Sequence, residues 1–275
     1  MNPKALLDHH EIQPRKSLGQ NFLHDPGVLE KIVALADVSR SDTVLEIGPG
    51  TGAMTRVLAR EAKRVIAVEL DDRLKPVLDD ELSPYPNVWV IYQDILTVDV
   101  AALLRPDEFV VVANVPYYIT SAILRHLLEA PHRPRRLVLT VQQEVAERLV
   151  AVPNDMSLLA VSVQFFGSAR IVHHIKPAAF WPRPEVDSAV VRIDVYEQPP
   201  VDVPDEAMFF RVVRAGFSQK RKQLKNALGG GLALAHQQAA ELIEQAGIDP
   251  RRRAETLTLE EWAALSRVVA ANPVK

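Results

Sequence analysis

Five short apolar runs, at 43–47, 65–69, 88–92, 109–113 and 137–141, constrain this chain more than any other feature. They are rich in β-branched residues and apolar on both alternating positions, as strands are when both faces are covered. Amphipathic helical patterns at 53–61, 72–81, 121–129 and 143–150 fall between them. Strand and helix therefore alternate, which predicts an α/β fold with a doubly wound, mostly parallel sheet. Two later apolar runs, 160–166 and 189–195, have no helix between them and are read as strands added antiparallel to one edge.

The segment 197–204, Glu-Gln-Pro-Pro-Val-Asp-Val-Pro, is a linker. Helical patterns follow at 206–216, 219–228, 235–246 and 259–271, with the glycine triplet 229–231 read as ending the second. The expected division is a large α/β domain over 1–200 and a small all-helical domain over 201–275. A length of 275 residues suits that division, and a hydrophobic content of 48% supplies the cores. No apolar stretch approaches the roughly 18 residues of a membrane span. The first thirteen residues hold Asp8 and Glu11 and no apolar core, so no signal peptide is expected. The absence of cysteine excludes disulfides, thiolate metal sites and cysteine nucleophiles, and fits a reducing cytosol.

Chemistry concentrates where the strands end. Glu46-Ile47-Gly48-Pro49-Gly50-Thr51-Gly52 follows the first strand and opens the first helix. Glycines there let the backbone turn sharply and approach a ligand at a helix N-terminus. The spacing Gly-x-Gly-x-Gly differs from that of dinucleotide binders and favours a ligand without a pyrophosphate, such as S-adenosylmethionine. Glu69 ends the second strand, where it either accepts from a ribose diol or stands as a solvated carboxylate. Asp94 follows the third strand and either accepts from an adenine amine or caps a turn. After the fourth comes Asn114-Val115-Pro116-Tyr117, which is a strand-to-helix turn or a holder for a flat base with an exocyclic amine. The Asn114 amide oxygen can accept from such an amine, and the Tyr117 ring can stack on the base. Four such ends on one sheet edge argue for a single site, because open α/β sheets bind ligands at the carboxyl ends of their strands.

These residues resemble the class I S-adenosylmethionine-dependent methyltransferases, with a Rossmann-like sheet. More closely, they resemble the KsgA-type small-subunit ribosomal RNA adenine dimethyltransferases. The likeness runs through Lys16-Ser17-Leu18-Gly19-Gln20-Asn21-Phe22-Leu23, Val68-Glu69, Gln93-Asp94, the Asn114 motif and Glu144-Val145-Ala146-Glu147-Arg148-Leu149. It continues through 180–190, Phe-Trp-Pro-Arg-Pro-Glu-Val-Asp-Ser-Ala-Val, and through 217–226, Phe-Ser-Gln-Lys-Arg-Lys-Gln-Leu-Lys-Asn. Those last two segments separate the family from the related enzymes that methylate large-subunit ribosomal RNA. Two departures stand out. Val115 replaces a leucine or isoleucine, and 153–157 is shorter than the family loop and lacks its tyrosine-glycine.

The resemblance implies S-adenosylmethionine as methyl donor and no metal. It implies cofactor contacts from Asn21, Leu23, Gly48, Gly50, Glu69, Asp94 and Asn114, with Asn114, Pro116 and Tyr117 at the target base. The implied substrate is the 3′-terminal hairpin loop of small-subunit (16S) rRNA, naked or in a pre-assembled small ribosomal subunit, where two adjacent adenosines are dimethylated on N6. Domain 1–200 would bind the cofactor and domain 201–275 the RNA, in a cytoplasmic monomer that touches no membrane. No strong base is in view, so catalysis is expected from orientation: the Asn114 oxygen and the carbonyls near Val115 and Pro116 accept the two N6 protons. Tyr118 or Phe180 either covers the second face of the base or lies in the core.

Net charge is -3, yet 207–240 holds no acid and six cations: Arg211, Arg214, Lys220, Arg221, Lys222 and Lys225. His173, His174, Lys176 and Arg183 form a second basic stretch, and Arg133, Arg135 and Arg136 a third. Each is a solvated face or part of an RNA footprint. Phe180, Arg183, Lys220, Arg221, Lys222 and Lys225 are the expected RNA contacts. Three competing readings remain: a large-subunit methyltransferase, a ribosome-assembly factor without turnover, and a small-molecule methyltransferase. The segments 180–190 and 220–226 oppose the first, the intact strand-end set the second, and the basic helical region the third.

Overall fold

The computed structural model describes residues 2–116 and 119–272. Two compact units emerge: one runs to Ala146 and resumes over Ala169–Val195, and the other is Glu147–Ser168 with everything from Tyr196.

In chain order the first unit begins with α1 (Pro3–His9), β1 (Phe22–Leu23), α2 (Pro26–Ala36), β2 (Thr43–Ile47) and α3 (Ala53–Glu61). It continues with β3 (Arg64–Glu69), α4 (Lys75–Leu82), β4 (Val88–Tyr92), α5 (Val100–Leu104), β5 (Phe109–Asn114), α6 (Thr120–Leu128) and β6 (Arg136–Gln142). After α7 (Gln143–Leu149) and α8 (Leu158–Phe166), the chain returns through β7 (Gly167–Ile175), β8 (Phe180–Trp181) and β9 (Ser188–Val195). The seven-stranded sheet has the order β4-β3-β2-β5-β6-β9-β7. Strands β4 to β6 pair in parallel, and β9 pairs antiparallel with β6.

Sequence dictates this sheet through burial. Val44, Val65, Val110, Val112, Val138 and Val190 face one side, where they pack on Leu29, Ile32 and Val33 of α2 and Leu58 of α3. The alternate residues Leu45, Ile66, Val111, Leu137 and Leu139 are buried as well, so both faces are covered. Asp25 starts α2 by accepting from the Val28 N–H at 3.0 Å. After β4 the chain crosses back to lay β5 on the other side of β2. That reversal puts a topological switch point between the ends of β2 and β5.

The doubly wound, mostly parallel α/β architecture stands as expected, with two corrections at the edge. Residues 160–166, read as a strand, belong to helix α8: Ser157 caps it by accepting from the Ala160 N–H at 3.1 Å, and it ends at Gly167. The strand beside β9 is instead β7, whose Arg170, His173 and His174 hid it as a polar edge. The short loop before α8 is tied down by the Asn154 and Met156 N–H groups, which donate to the Glu255 carbonyl at 2.9 and 3.1 Å.

The second unit is helical. Besides α8 it holds α9 (Glu206–Phe217), α10 (Leu224–Leu232), α11 (His236–Gln245) and α12 (Leu259–Ala271). Its centre is aromatic, with Phe165 and Phe166 of α8 against Phe209 and Phe210 of α9 at ring separations of 4.5 to 5.6 Å. Helix α8 therefore packs with the C-terminal helices, whereas a division at residue 200 leaves it on the other side. Two helix ends differ from the sequence pattern. Residues 218–223 are a turn rather than the start of α10, and the glycine triplet lies inside α10, which runs on to Leu232.

Candidate active site

The loop after β2 needs its glycines. Gly48, Gly50 and Gly52 have φ of 70°, 58° and 75°, the left-handed region that side chains resist. At Gly50 a Cβ would also lie 2.9 Å from Cδ1 of Phe22. The loop is locked to the end of β3. Gly48 N–H donates to the Val68 carbonyl at 2.9 Å, and Gly50 N–H donates to Glu69 Oε2 at 3.1 Å. The Asp71 N–H donates to the other Glu69 oxygen at 2.8 Å. A carboxylate has about four acceptor sites, so Glu69 retains capacity for a further donor, such as a ribose hydroxyl. Burial pushes the Glu69 carboxyl up, the Asp71 and Gly50 N–H groups oppose that, and the Asp71 charge adds to it.

A cleft opens here, at the carboxyl ends of the strands. Asn21, Gly48, Gly50, Glu69, Asp94 and Asn114 all line it, as do Val115 and Pro116. Leu23 does not. It is buried, paired with Phe180 across the β1–β8 ladder, and lines a smaller adjoining cavity with Glu46 and Met54. Asp94 takes the capping alternative, accepting from the Leu96 N–H at 2.9 Å, while still facing the cleft. Tyr117 and its neighbour Tyr118 lie outside the described residues.

Asn114 ends β5 with its side-chain amide fixed. Nδ2 donates to the main-chain carbonyl of Asn21 at 2.9 Å. With the nitrogen committed, Oδ1 is left as the acceptor. That is the polarity an exocyclic amine needs.

Sequence reasoning missed four participants. Gln20 and Phe22 line the cleft although only Asn21 and Leu23 were singled out between 16 and 23. Asp71 stands behind Glu69, fully buried, in a run of charges that reads as surface. Glu46 sits in the middle of β2 at 0% exposure. The signal for it was an acid inside an otherwise apolar strand.

Burial holds the Glu46 carboxyl up at about 8, the Thr55 hydroxyl partly offsets this, and the Glu69 charge adds to it. In the unfolded chain the group ionises near 4.5. Between those two values the folded state keeps a proton that the unfolded state has released, so stability falls as pH rises through that window. In the ligand-free protein, Glu46→Gln should remove this slope. Its melting temperature should exceed that of the parent by several degrees at pH 8, and by less at pH 5. Parallel melting curves across that range would refute the assignment.

The basic stretches divide by their partners. Arg135 pairs with Asp42 at 2.8 Å and Arg136 with Asp194 at 2.6 Å. Arg136 and Arg192 also donate to the Ala36 and Leu35 carbonyls at the end of α2. The third stretch is therefore structural. Lys176 is paired with Asp187 at 2.6 Å, whereas Arg183 is exposed and, among the described residues, has no carboxylate partner. Phe180 is 3% exposed in the core beside Leu23, so it offers no open ring for a base. In the second unit, Lys220, Arg221 and Lys222 crowd the exposed turn between α9 and α10, with Lys225 half-buried at the start of α10. No carboxylate pairs with these four among the described residues, which leaves them for an anion. Among the described residues, no group of three His, Asp or Glu is placed to hold a metal ion, and no helix is long and apolar enough to cross a membrane.

Comparison with known proteins converges on one family. Residues 12–271 match the family model described as ribosomal RNA adenine dimethylase. The chain is 45% identical over 271 residues to ribosomal RNA small subunit methyltransferase A of Dehalococcoides mccartyi, covering 98% of this chain and 93% of that protein. It is 44% identical over 277 residues to the protein of the same name from Geobacillus sp. (strain WCH70), covering 97% and 95%. Among solved structures, a dimethyladenosine transferase from Plasmodium falciparum superposes with a TM-score of 0.78 at 25% identity, over 91% of this chain and 98% of that one. The 23S rRNA methyltransferase ErmE superposes with a TM-score of 0.72 at 29% identity, over 91% and 100%.

Proposed function

Since the chain belongs to the ribosomal RNA adenine dimethylase family, we propose that it dimethylates N6 of two adjacent adenosines in the 3′-terminal hairpin loop of small-subunit rRNA. The protein is an S-adenosylmethionine-dependent rRNA adenine dimethyltransferase, and its first unit has the class I methyltransferase fold. Small-subunit RNA is favoured over large-subunit RNA by the near-complete match to small subunit methyltransferases. The likeness to a 23S enzyme reflects the shared fold.

The observation that carries the mechanism is the Asn114 amide, locked by its nitrogen and open at its oxygen. The residues around it fit the methyl donor. A Cβ at Gly48 would meet nothing nearer than the Asn114 carbonyl at 3.8 Å, which leaves the backbone open to a ligand, and Glu69 keeps acceptor capacity for the ribose. Asp94 presents an acceptor at the end of β4 for the adenine amine. When bound, S-adenosylmethionine supplies an electrophilic methyl on a sulfonium.

The amine to be methylated is a weak nucleophile, because its lone pair is delocalised into the purine ring. Oδ1 of Asn114 accepts a hydrogen bond from one N6–H, and the main-chain carbonyls near Val115 and Pro116 accept one from the other. These contacts draw the nitrogen towards tetrahedral geometry and aim its lone pair at the methyl. Once the methyl has transferred, the surplus proton on the nitrogen leaves to solvent. Orientation and fixed dipoles replace a general base. Tyr117 stacks on the base, which must leave its loop stack first. Lys220, Arg221, Lys222 and Lys225 in one unit and Arg183 in the other bind phosphates. We place the enzyme in the cytoplasm, acting as a monomer on rRNA or a partly assembled small subunit.

The test is transfer of labelled methyl groups into under-methylated small subunits, with large subunits in parallel. Incorporation as N6,N6-dimethyladenosine in small subunits alone is expected. Incorporation into large subunits, or only monomethyl product, would overturn the substrate or the dimethylation.

A further inference from the structure

The wall of the cleft opposite Glu69 is an N-terminal segment with little regular structure of its own. Residues 18–22 line the cleft, yet between α1 and β1 the segment forms only a short 3-10 turn over Lys16–Leu18. Something else must hold it, and the side chain that does so is Asp71. Its carboxylate has 0% exposure and gathers donors from both sides. Arg73 meets it in a two-point pair, Nε to Oδ1 at 2.8 Å and Nη2 to Oδ2 at 2.6 Å. Gln20 Nε2 donates to Oδ2 at 2.9 Å, and Arg15 Nη1 stands 3.9 Å from Oδ1.

The network closes on itself. Gln20 Oε1 accepts from the Arg15 N–H at 2.7 Å, and Arg73 Nη1 donates to the Gln13 carbonyl at 3.4 Å. The Asp71 N–H meanwhile holds Glu69 at 2.8 Å. One residue therefore fixes the ribose acceptor through its main chain and the facing wall through its side chain. The next residue along that wall, Asn21, gives its carbonyl to the Asn114 amide at 2.9 Å.

We propose that Asp71 is a positioning residue of the methyl-donor site, acting through Gln20 to hold the N-terminal wall at the spacing the cofactor requires. It does not line the cleft itself. The inference rests on the assignment of this cleft to S-adenosylmethionine. Its chemistry explains the residue type. Only a carboxylate offers enough acceptor sites for Arg73, Gln20 and Arg15 together, and the two arginines balance its buried charge.

The experiment is calorimetric titration of S-adenosylmethionine into the parent, Gln20→Ala, Asp71→Ala and the double variant, with steady-state methyl transfer alongside. Loss of a charge-assisted hydrogen bond predicts a dissociation constant raised about tenfold in Gln20→Ala and about thirtyfold in Asp71→Ala. The double variant should be no weaker than Asp71→Ala, because both break one link. KM for the cofactor should rise in step while KM for RNA stays within about twofold. Should Asp71→Ala not fold, Asp71→Asn takes its place, because Gln20 lines the cleft and its truncation also removes a direct contact. Unchanged cofactor affinity in folded Gln20→Ala would overturn the proposal, and so would equal rises in both KM values. A parent that binds no S-adenosylmethionine would overturn the reading of the cleft, and this inference with it.

Discussion

Asn114→Ala should lower kcat by about a thousandfold, in the range found when one preorganised polar group aimed at a transition state is removed. The methyl-acceptor nitrogen then loses the contact proposed to draw it towards tetrahedral geometry and free its lone pair from the ring π system. Cofactor affinity should fall far less, since Glu69, the glycine loop and Asp94 remain. Asn114→Asp is the sharper companion. It keeps the shape and an acceptor oxygen but cannot donate to the Asn21 carbonyl, and it faces that carbonyl with negative charge. It should also lose most turnover. Single-turnover methyl transfer at saturating cofactor, with binding measured separately, checks both. Near-parental turnover in Asn114→Ala would remove the amide from the mechanism.

Gly231→Val should destabilise the protein by about 3 kcal/mol, through overpacking against a neighbouring helix. A Cβ at Gly231 would lie 2.5 Å from the Cα of Ala215 on α9, an atom that cannot swing aside. For a chain of this size that means a fall in melting temperature of roughly 6–12 °C. Gly230→Ala is the control. A Cβ there meets only the Gln219 side-chain amide at 3.1 Å, on the exposed side of the same helix. It should be neutral or stabilising by up to about 1 kcal/mol, the gain in helix propensity. Equal effects from the two substitutions would show that helix propensity, not the α9–α10 contact, governs the triplet.

That contrast shows where sequence reading stopped. Gly229, Gly230 and Gly231 have the composition of a helix terminator, and only the neighbouring helix reveals that Gly231 permits close approach. The same limit applies to 160–166. Its buried Val161, Val163 and Phe165 keep a strand-like alternation, but Ala160 and Phe166 are buried too, and the Ser157 cap selects the helix. The five parallel strands were legible as short β-branched, mainly apolar runs, four of them buried on both faces and β4, at the edge with Trp89 exposed, by composition alone. Their ends exposed Gly48, Gly50, Glu69, Asp94 and Asn114 for the same reason, as polar residues directly after such runs. Leu23 and Phe180 sit in the buried β1–β8 ladder beside the cleft, a placement that the motif alone does not show. Asp71 and Glu46 were passed over because their meaning lies in burial, which no local pattern states.

One consequence of the Asn21 carbonyl concerns genetics. The partner that holds the Asn114 amide is a main-chain atom. No amino-acid exchange at position 21 can delete it, so a side-chain scan will score that position only for its own amide. What the contact does sense is register. One residue inserted or removed between Pro14 and Asn21 would carry a different carbonyl to the amide, or none. Apart from Arg15 and Gln20, the segment should tolerate varied spelling and very little change in length, and a deletion library will see an anchor at Asn21 that a substitution library cannot.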